Sequence, residues 1–289
     1  MIHLSTFSIV ACDIKSQTWG VAVASKFPAA GAVVPWARAN SGAIATQSLA
    51  NTSFGPQGLS LMTGGLSAEE TLARLLADDE ERATRQIGIV DSRGASATFT
   101  GKSCLEWAGG LNAPGYAIQG NILAGAEVVR QMEHAFVETK GELPERLFAS
   151  LLAGDQAGGD RRGRQSAALY VVKPKGGYGG FNDRWMDYRV DDHINPVPRL
   201  GELLELHRLY FGKSPSSERI SLNDGKAVKD IQKIMKKLGY YTLNNGKYDD
   251  STREAFRRFI DNENFEERAN PDEGWIDGPV FDYLLKKFK

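Results

Sequence analysis

Four short β-prone runs crowd into the first 47 residues: Thr6–Ala11, Trp19–Ala24, Gly31–Trp36 and Gly42–Gln47. Parallel neighbours need a crossover of about a dozen residues or more, and the joints here are shorter, so the chain must open on antiparallel sheet. Small residues recur in these runs (Gly20, Ala22, Ala24, Ala43, Ala45), which allows one sheet to pack tightly on another.

The hydrophobic period then changes. Leu59, Leu61 and Met62 predict a short helix over 54–63. Ser67-Ala68-Glu69-Glu70 reads as an N-cap with an acid three residues on, opening a helix through Leu72, Leu75 and Leu76. Residues 85–90 and 95–100 form a hairpin about Asp91-Ser92-Arg93-Gly94. A strand at 116–119, helices at 124–137 and 144–152, strands at 166–172 and 184–190, and an amphipathic helix at 198–210 complete this part. Strict strand–helix alternation is missing. The order favours an α+β fold of antiparallel sheets covered by helix pairs over a doubly wound parallel sheet.

A polar Ser/Pro stretch from Lys213 to Ser217 marks a linker, which divides the chain into 1–212, a linker at 213–220, and 221–289. The first 60 residues are nearly uncharged, whereas the tail from Lys226 is rich in both signs. Val228, Ile231, Ile234, Met235 and Leu238 fall at helical spacing, closed by Gly239. A second helix starts at Ser251 or Thr252 and carries Phe256 and Phe259; a third opens at Asp277-Gly278-Pro279. The tail is thus a small three-helix domain.

Several function classes drop out. A net charge of -1 with no basic cluster argues against nucleic acid as a partner. No run approaches the 18 apolar residues of a membrane span. Met1 to Thr6 lacks the pattern of an export signal, and Cys12 and Cys104 read as free thiols, so a cytoplasmic protein is expected. His3, His134, His193 and His207 are scattered, and neither a metal nor a cofactor is expected. Leu203, Leu204, Leu206 and Leu209 make a helical stripe that reads as exposed, and with the apolar opening strands it favours a homo-oligomer.

The run Gly158-Gly159-Asp160-Arg161-Arg162-Gly163-Arg164-Gln165-Ser166 carries the most chemistry. Its glycines let backbone approach a ligand, and its N–H groups suit an anion. Arg162 or Arg164 fits a substrate carboxylate, Asp160 a substrate amine, and Gln165 and Ser166 complete the binding set. Gln47, Gln119 and Asn121 stand at strand ends, where an amide can stabilise an oxyanion. Trp19 and Trp36 are expected in the core or an interface.

The tail resembles the peptidoglycan-binding-like fold in Val228-Lys229-Asp230-Ile231-Gln232, Leu238-Gly239-Tyr240-Tyr241, Gly246-Lys247-Tyr248-Asp249, Thr252 to Phe259 and Gly274-Trp275-Ile276-Asp277-Gly278. Asp261 to Asp272 is longer and more acidic than that pattern.

The first part is similar to the bacterial domain-of-unknown-function family 1028. The resemblance lies in Thr6 to Ala11, Val23 to Phe27, Ala45-Thr46-Gln47, Arg85 to Asp91, Gln119-Gly120-Asn121 and Gly158 to Ala167. That family is grouped with the N-terminal nucleophile (Ntn) hydrolases. The resemblance implies a four-layer αββα sandwich and makes Thr6 the nucleophile once a leader is removed, with Ser5 and Ser8 as alternates. A freed α-amine would be its base, because a hydroxyl needs one near neutral pH. Lys26 would lower the nucleophile's proton affinity beside Ser25, with Asn121 in the catalytic set. The function implied is an amidohydrolase acting on a small carboxylate-bearing amide or peptide, such as a recycled cell-wall fragment. The alternative is a non-catalytic binding or assembly protein on the same scaffold.

Overall fold

A computed structural model describes residues 6–223, 225–240 and 243–288, which form two compact units divided between Glu202 and Leu203. In chain order the first unit runs β1 (Thr6–Asp13), β2 (Thr18–Ser25), β3 (Pro35–Arg38), β4 (Gly42–Ser48), α1 (Phe54–Thr63), α2 (Ala68–Ala77), β5 (Arg85–Asp91) and β6 (Ser96–Thr100). It continues with β7 (Gly109–Ala113), β8 (Tyr116–Asn121), α3 (Glu127–Glu138), α4 (Leu143–Gln156), β9 (Ser166–Val172), β10 (Arg184–Val190) and the start of α5 (Pro196–Phe211).

Two sheets result, a six-stranded one in the order β10-β9-β2-β1-β8-β7 and a four-stranded one in the order β3-β4-β5-β6. Every pairing in them is antiparallel, as the short joints require. Strand alternation sorts the side chains. Val10, Val21 and Val23 share a core with Ala43, Ala45 and Val90 of the other sheet. Phe7, on the opposite face of β1, packs towards α4, where a Cβ on Gly154 would stand 3.2 Å from its ring. Helices α3 and α4 pack on each other, and α4 lies on β1 and β2. On the four-stranded sheet, Ile44, Ile87 and Ile89 meet Phe54, Leu59 and Leu75 of α1 and α2.

Local signals are visible in detail. Ser67 and Glu70 form a reciprocal capping box at α2, a device worth about 1 kcal/mol. Asp91 holds its hairpin by accepting from the amides of Arg93 (2.8 Å) and Ala95 (3.0 Å). Two expectations differ. The strand expected at Gly31–Trp36 is a 3-10 turn at Ala30–Ala32 followed by β3. There Ala30 N donates to Ser166 Oγ (3.1 Å), and a Cβ on Gly31 would stand 2.5 Å from that of Ala168, so the segment turns onto the neighbouring strand. Strand β7 has no counterpart in the sequence pattern, because Gly-Gly-Leu-Asn-Ala carries no β-branched or aromatic residue.

The second unit begins within α5. Its leucine stripe is not the exposed surface expected: Leu204 is buried and Leu209 packs against the second core, leaving Leu206 38% exposed. Elements β11 (Arg219–Ser221), α6 (Gly225–Lys237), α7 (Asp250–Glu263), β12 (Ala269–Asn270), β13 (Trp275–Asp277) and α8 (Gly278–Lys287) follow. Three helices were expected; a small sheet, β11-β13-β12, accompanies them. Phe256, Phe259, Phe265, Ile276 and Leu284 fill the core. Buried Gln232 bonds Asn245, Gly246, Lys247 and Thr252, fixing the turn before α7. Residues 213–220, expected as a linker, contain the start of β11, and Ser214 accepts from Arg268 (3.2 Å). Among the described residues no helix is long and apolar enough to cross a membrane.

Candidate functional site

Register places four of the expected residues in one row. Asn121, Thr6, Ser25 and Ser166 lie side by side across β8, β1, β2 and β9, on the face turned towards the other sheet. All four are buried, Thr6 completely, and the Thr6 hydroxyl is 3.3 Å from Ser25 Oγ. Ser166 Oγ donates to Phe27 O (2.6 Å), tying β9 to the chain that leaves β2.

Gln47 sits across from this row, not in an open cleft. Its Nε2 donates to Thr6 O (3.3 Å), Gln86 Oε1 (2.9 Å) and Gln119 O (3.3 Å), while its Oε1 accepts from Ser8 Oγ (2.6 Å). Gln119 donates in turn to Ser8 Oγ (2.6 Å), and Asn121 Nδ2 donates to Gln86 Oε1 (2.9 Å). Room for the Gln119 amide comes from Gly88: a Cβ there would stand 2.0 Å from Gln119 Oε1. Gln47 and Gln119 therefore brace the end of β1 from within. Ser8, the alternate nucleophile, is fixed in the same network, and Ser5 lies outside the described residues, as do the Met1–Leu4 stretch and Tyr241.

The glycine loop closes over the end of this row. Gly158, Gly159 and Gly163 have φ of 108°, 46° and 117°, values a side chain rarely adopts. Five of its backbone donors are occupied within the protein: Gly158 N by Asp155 O, Gly159 N by Gly154 O, Arg161 N by Ile122 O, Gly163 N by Asp160 O and Gln165 N by Ser25 O. The backbone anion nest expected here is therefore not formed by these amides. Asp160 is the organiser. Its carboxylate accepts from Lys26 N (2.8 Å), Arg162 N (3.0 Å) and the Arg162 guanidinium (3.0 and 3.2 Å). Arg164 Nε donates to Asp155 Oδ1 (2.7 Å), and the Gln165 amide turns away to Asp192 (3.1 Å). The two arginines expected to greet a substrate are thus both paired with buried carboxylates.

Loop and row meet at a pocket of 290 Å³ whose walls include Phe7, Ser25, Asp155, Asp160, Arg161 and Arg164. Thr6 is not on its wall; it stands one hydrogen bond behind, through Ser25. Lys26 is exposed at the strand end, held by its own amide rather than by its ammonium group.

Residues 6–200 match the family described as "Family of unknown function (DUF1028)". The chain belongs to that family. Residues 210–284 match the family described as "Putative peptidoglycan binding domain", so the second match, like the second core, starts in the last turn of α5. A solved DUF1028 protein, SPO2555 from Silicibacter pomeroyi, is 29% identical, with a TM-score of 0.64 over 71% of this chain and 89% of that one. No curated protein matches the chain.

The DUF1028 unit also holds functional candidates that the sequence reading passed over. Gln86 joins Gln47, Asn121, Thr100 and Gly120 in one network. Its signal was a glutamine sharing a strand face with Gly88 and Val90, one polar position in an interior row. Asp155 and Arg161 line the pocket, but their partnership with it depends on a loop closure that no spacing announces.

Proposed function

We infer that the DUF1028 unit is an Ntn-type amidohydrolase for a small carboxylate-bearing amide or peptide, with Thr6 as its latent nucleophile and an αββα sandwich of the Ntn kind as its frame. One observation carries this reading. Thr6 opens the six-stranded sheet's β1 and reaches, through Ser25, the pocket walled by the glycine loop.

With five residues ahead of it, the Thr6 nitrogen is a peptide amide and cannot accept a proton. Cleavage before Thr6 turns that nitrogen into an amine. The Thr6 hydroxyl then attacks the substrate carbonyl and passes its proton to the amine. The oxyanion forms beside Asn121, with the Lys26 charge nearby. Collapse expels the substrate's nitrogen with the proton, leaving an ester on Thr6 that water hydrolyses. The tail unit, through its likeness to peptidoglycan-binding domains, would supply wall-derived peptides. Full burial of the threonine favours a second reading, a binding or assembly protein that is never processed.

Two measurements separate them. Intact mass of the purified chain gives its first residue. A version made as Met-Thr6, from which the initiator is removed, is then assayed for released amine on short N-acyl amino acids. Turnover is expected, kept by Thr6→Ser and reduced on the order of 10³-fold or more by Thr6→Ala. An inactive Thr6-first chain of native fold leaves the binding protein as the reading.

A further inference from the structure

The geometry points to Arg161, not Arg162 or Arg164, as the group that receives the free carboxylate of an N-acylated, non-zwitterionic ligand in the 290 Å³ pocket. This rests on the reading that the pocket beside Thr6 is the substrate site, and it names the ligand class of that site.

The charges on the pocket decide it. Asp160 is neutralised by Arg162 at 3.0 Å, with side-chain exposures of 1% and 38%. Asp155 is neutralised by Arg164 at 2.7 Å, with exposures of 6% and 46%. Breaking either pair to greet a ligand would leave a buried carboxylate without its cation, a loss that one new ion pair at the surface does not recover. Arg161 has no ion-pair partner within 4 Å among the described residues, and it lines the same pocket.

The pocket thus presents two neutral pairs and one uncompensated guanidinium, a net charge of +1. A ligand amine finds no uncompensated carboxylate on these walls, so an α-ammonium group is disfavoured and a lone carboxylate favoured. Six of the loop amides are occupied, and the Arg161 guanidinium offers the planar fork that matches a carboxylate. At 290 Å³ the space falls just below the usual range of ligand pockets, about 300–1,000 Å³, and suits a ligand of one or two residues.

The test needs no turnover. Full-length protein carrying Thr6→Ala is titrated, by NMR shift perturbation, with N-acetyl-alanine, its uncharged amide N-acetyl-alaninamide, and free alanine. Binding is expected for N-acetyl-alanine alone, with shifts in residues 158–166. Arg161→Gln is expected to weaken it about tenfold or more, with partial rescue by Arg161→Lys, while Arg130→Gln on the surface of α3 leaves it unchanged. Equal binding of the uncharged amide, tighter binding of free alanine, no binding, or no effect of Arg161→Gln overturns the proposal. The two readings fail separately. Arg161-dependent binding with an inactive Thr6-first chain removes the hydrolase and keeps the anion site. Turnover whose KM ignores Arg161→Gln removes the anion site and keeps the hydrolase.

Discussion

The two ends of one sheet-on-sheet interface are built from opposite materials. Along β1, Val10 and Cys12 face Ala43, Ala45 and Val90 in a core of valine and alanine, with Trp19 beside them. Four residues earlier on the same strand and face, Thr6 and Ser8 meet Gln47, Gln86, Gln119 and Asn121. Burial is complete at both ends, so solvent does not explain the change. An apolar end only needs matching shapes. The polar end requires every donor to find an acceptor, and that requirement fixes the position of Thr6 far more narrowly than packing would. The difference teaches where this fold keeps precision: at the strand ends beside the pocket.

The largest expected effect breaks the polar end. Gln86→Leu removes the acceptor of the Gln47 and Asn121 amides and the donor to Gly120 O at 2.7 Å. Each stranded buried group costs about 1–3 kcal/mol, so a loss of about 4 kcal/mol or more is expected in urea unfolding of the N-terminal unit. A loss below about 1 kcal/mol would mean that the network is not what holds this end. Val21→Ala probes the other end. It deletes two methyl groups from a packed site and should cost about 2 kcal/mol, with no change at the pocket. If it instead alters ligand binding as strongly as Gln86→Leu does, the two ends are one unit and the contrast between them fails.

How much of this was legible follows the same division. Apolar alternation announced β1, β2, β4, β5, β9 and β10, and the hairpins and caps announced their joints, because these depend on neighbours in sequence. Thr6, Ser25, Asn121 and Ser166 were singled out one by one, but their single row is a matter of register among four strands. The arginines of the loop were legible as a group and not as individuals. Which of Arg161, Arg162 and Arg164 is left over depends on Asp155 and Asp160, and the choice of partner is made only when the loop closes on α4 and β2. The tail's small sheet went unread because strands of two and three residues carry no period.

The smallest expected effect tests how dry the apolar end is, through Cys12. Burial, reinforced by the nearby Asp91 and Asp13 carboxylates, pushes its thiol up from 9.0 to about 12. Below about pH 8 the thiol is neutral folded and unfolded, and contributes little to pH dependence. Above that, the unfolded chain loses the proton while the folded chain keeps it. The unfolded state then binds fewer protons, so stability must fall as pH rises, by at most about 1.4 kcal/mol per pH unit. Tyr116 and Tyr248, both raised to about 12, add a slope of the same sign once unfolded tyrosine ionises near 10. The clean window is therefore about pH 8.5–10. There Cys12→Ala should lose about 1 kcal/mol less than the parent chain in urea titrations of the N-terminal unit, with Cys104 supplying a remaining slope of the same direction. The tail contains neither cysteine, so its own transition should stay level until Tyr248 begins to ionise in the unfolded chain close to pH 10. Parallel curves for the two chains would mean that water reaches Cys12, and that the valine end is no tighter than the glutamine end.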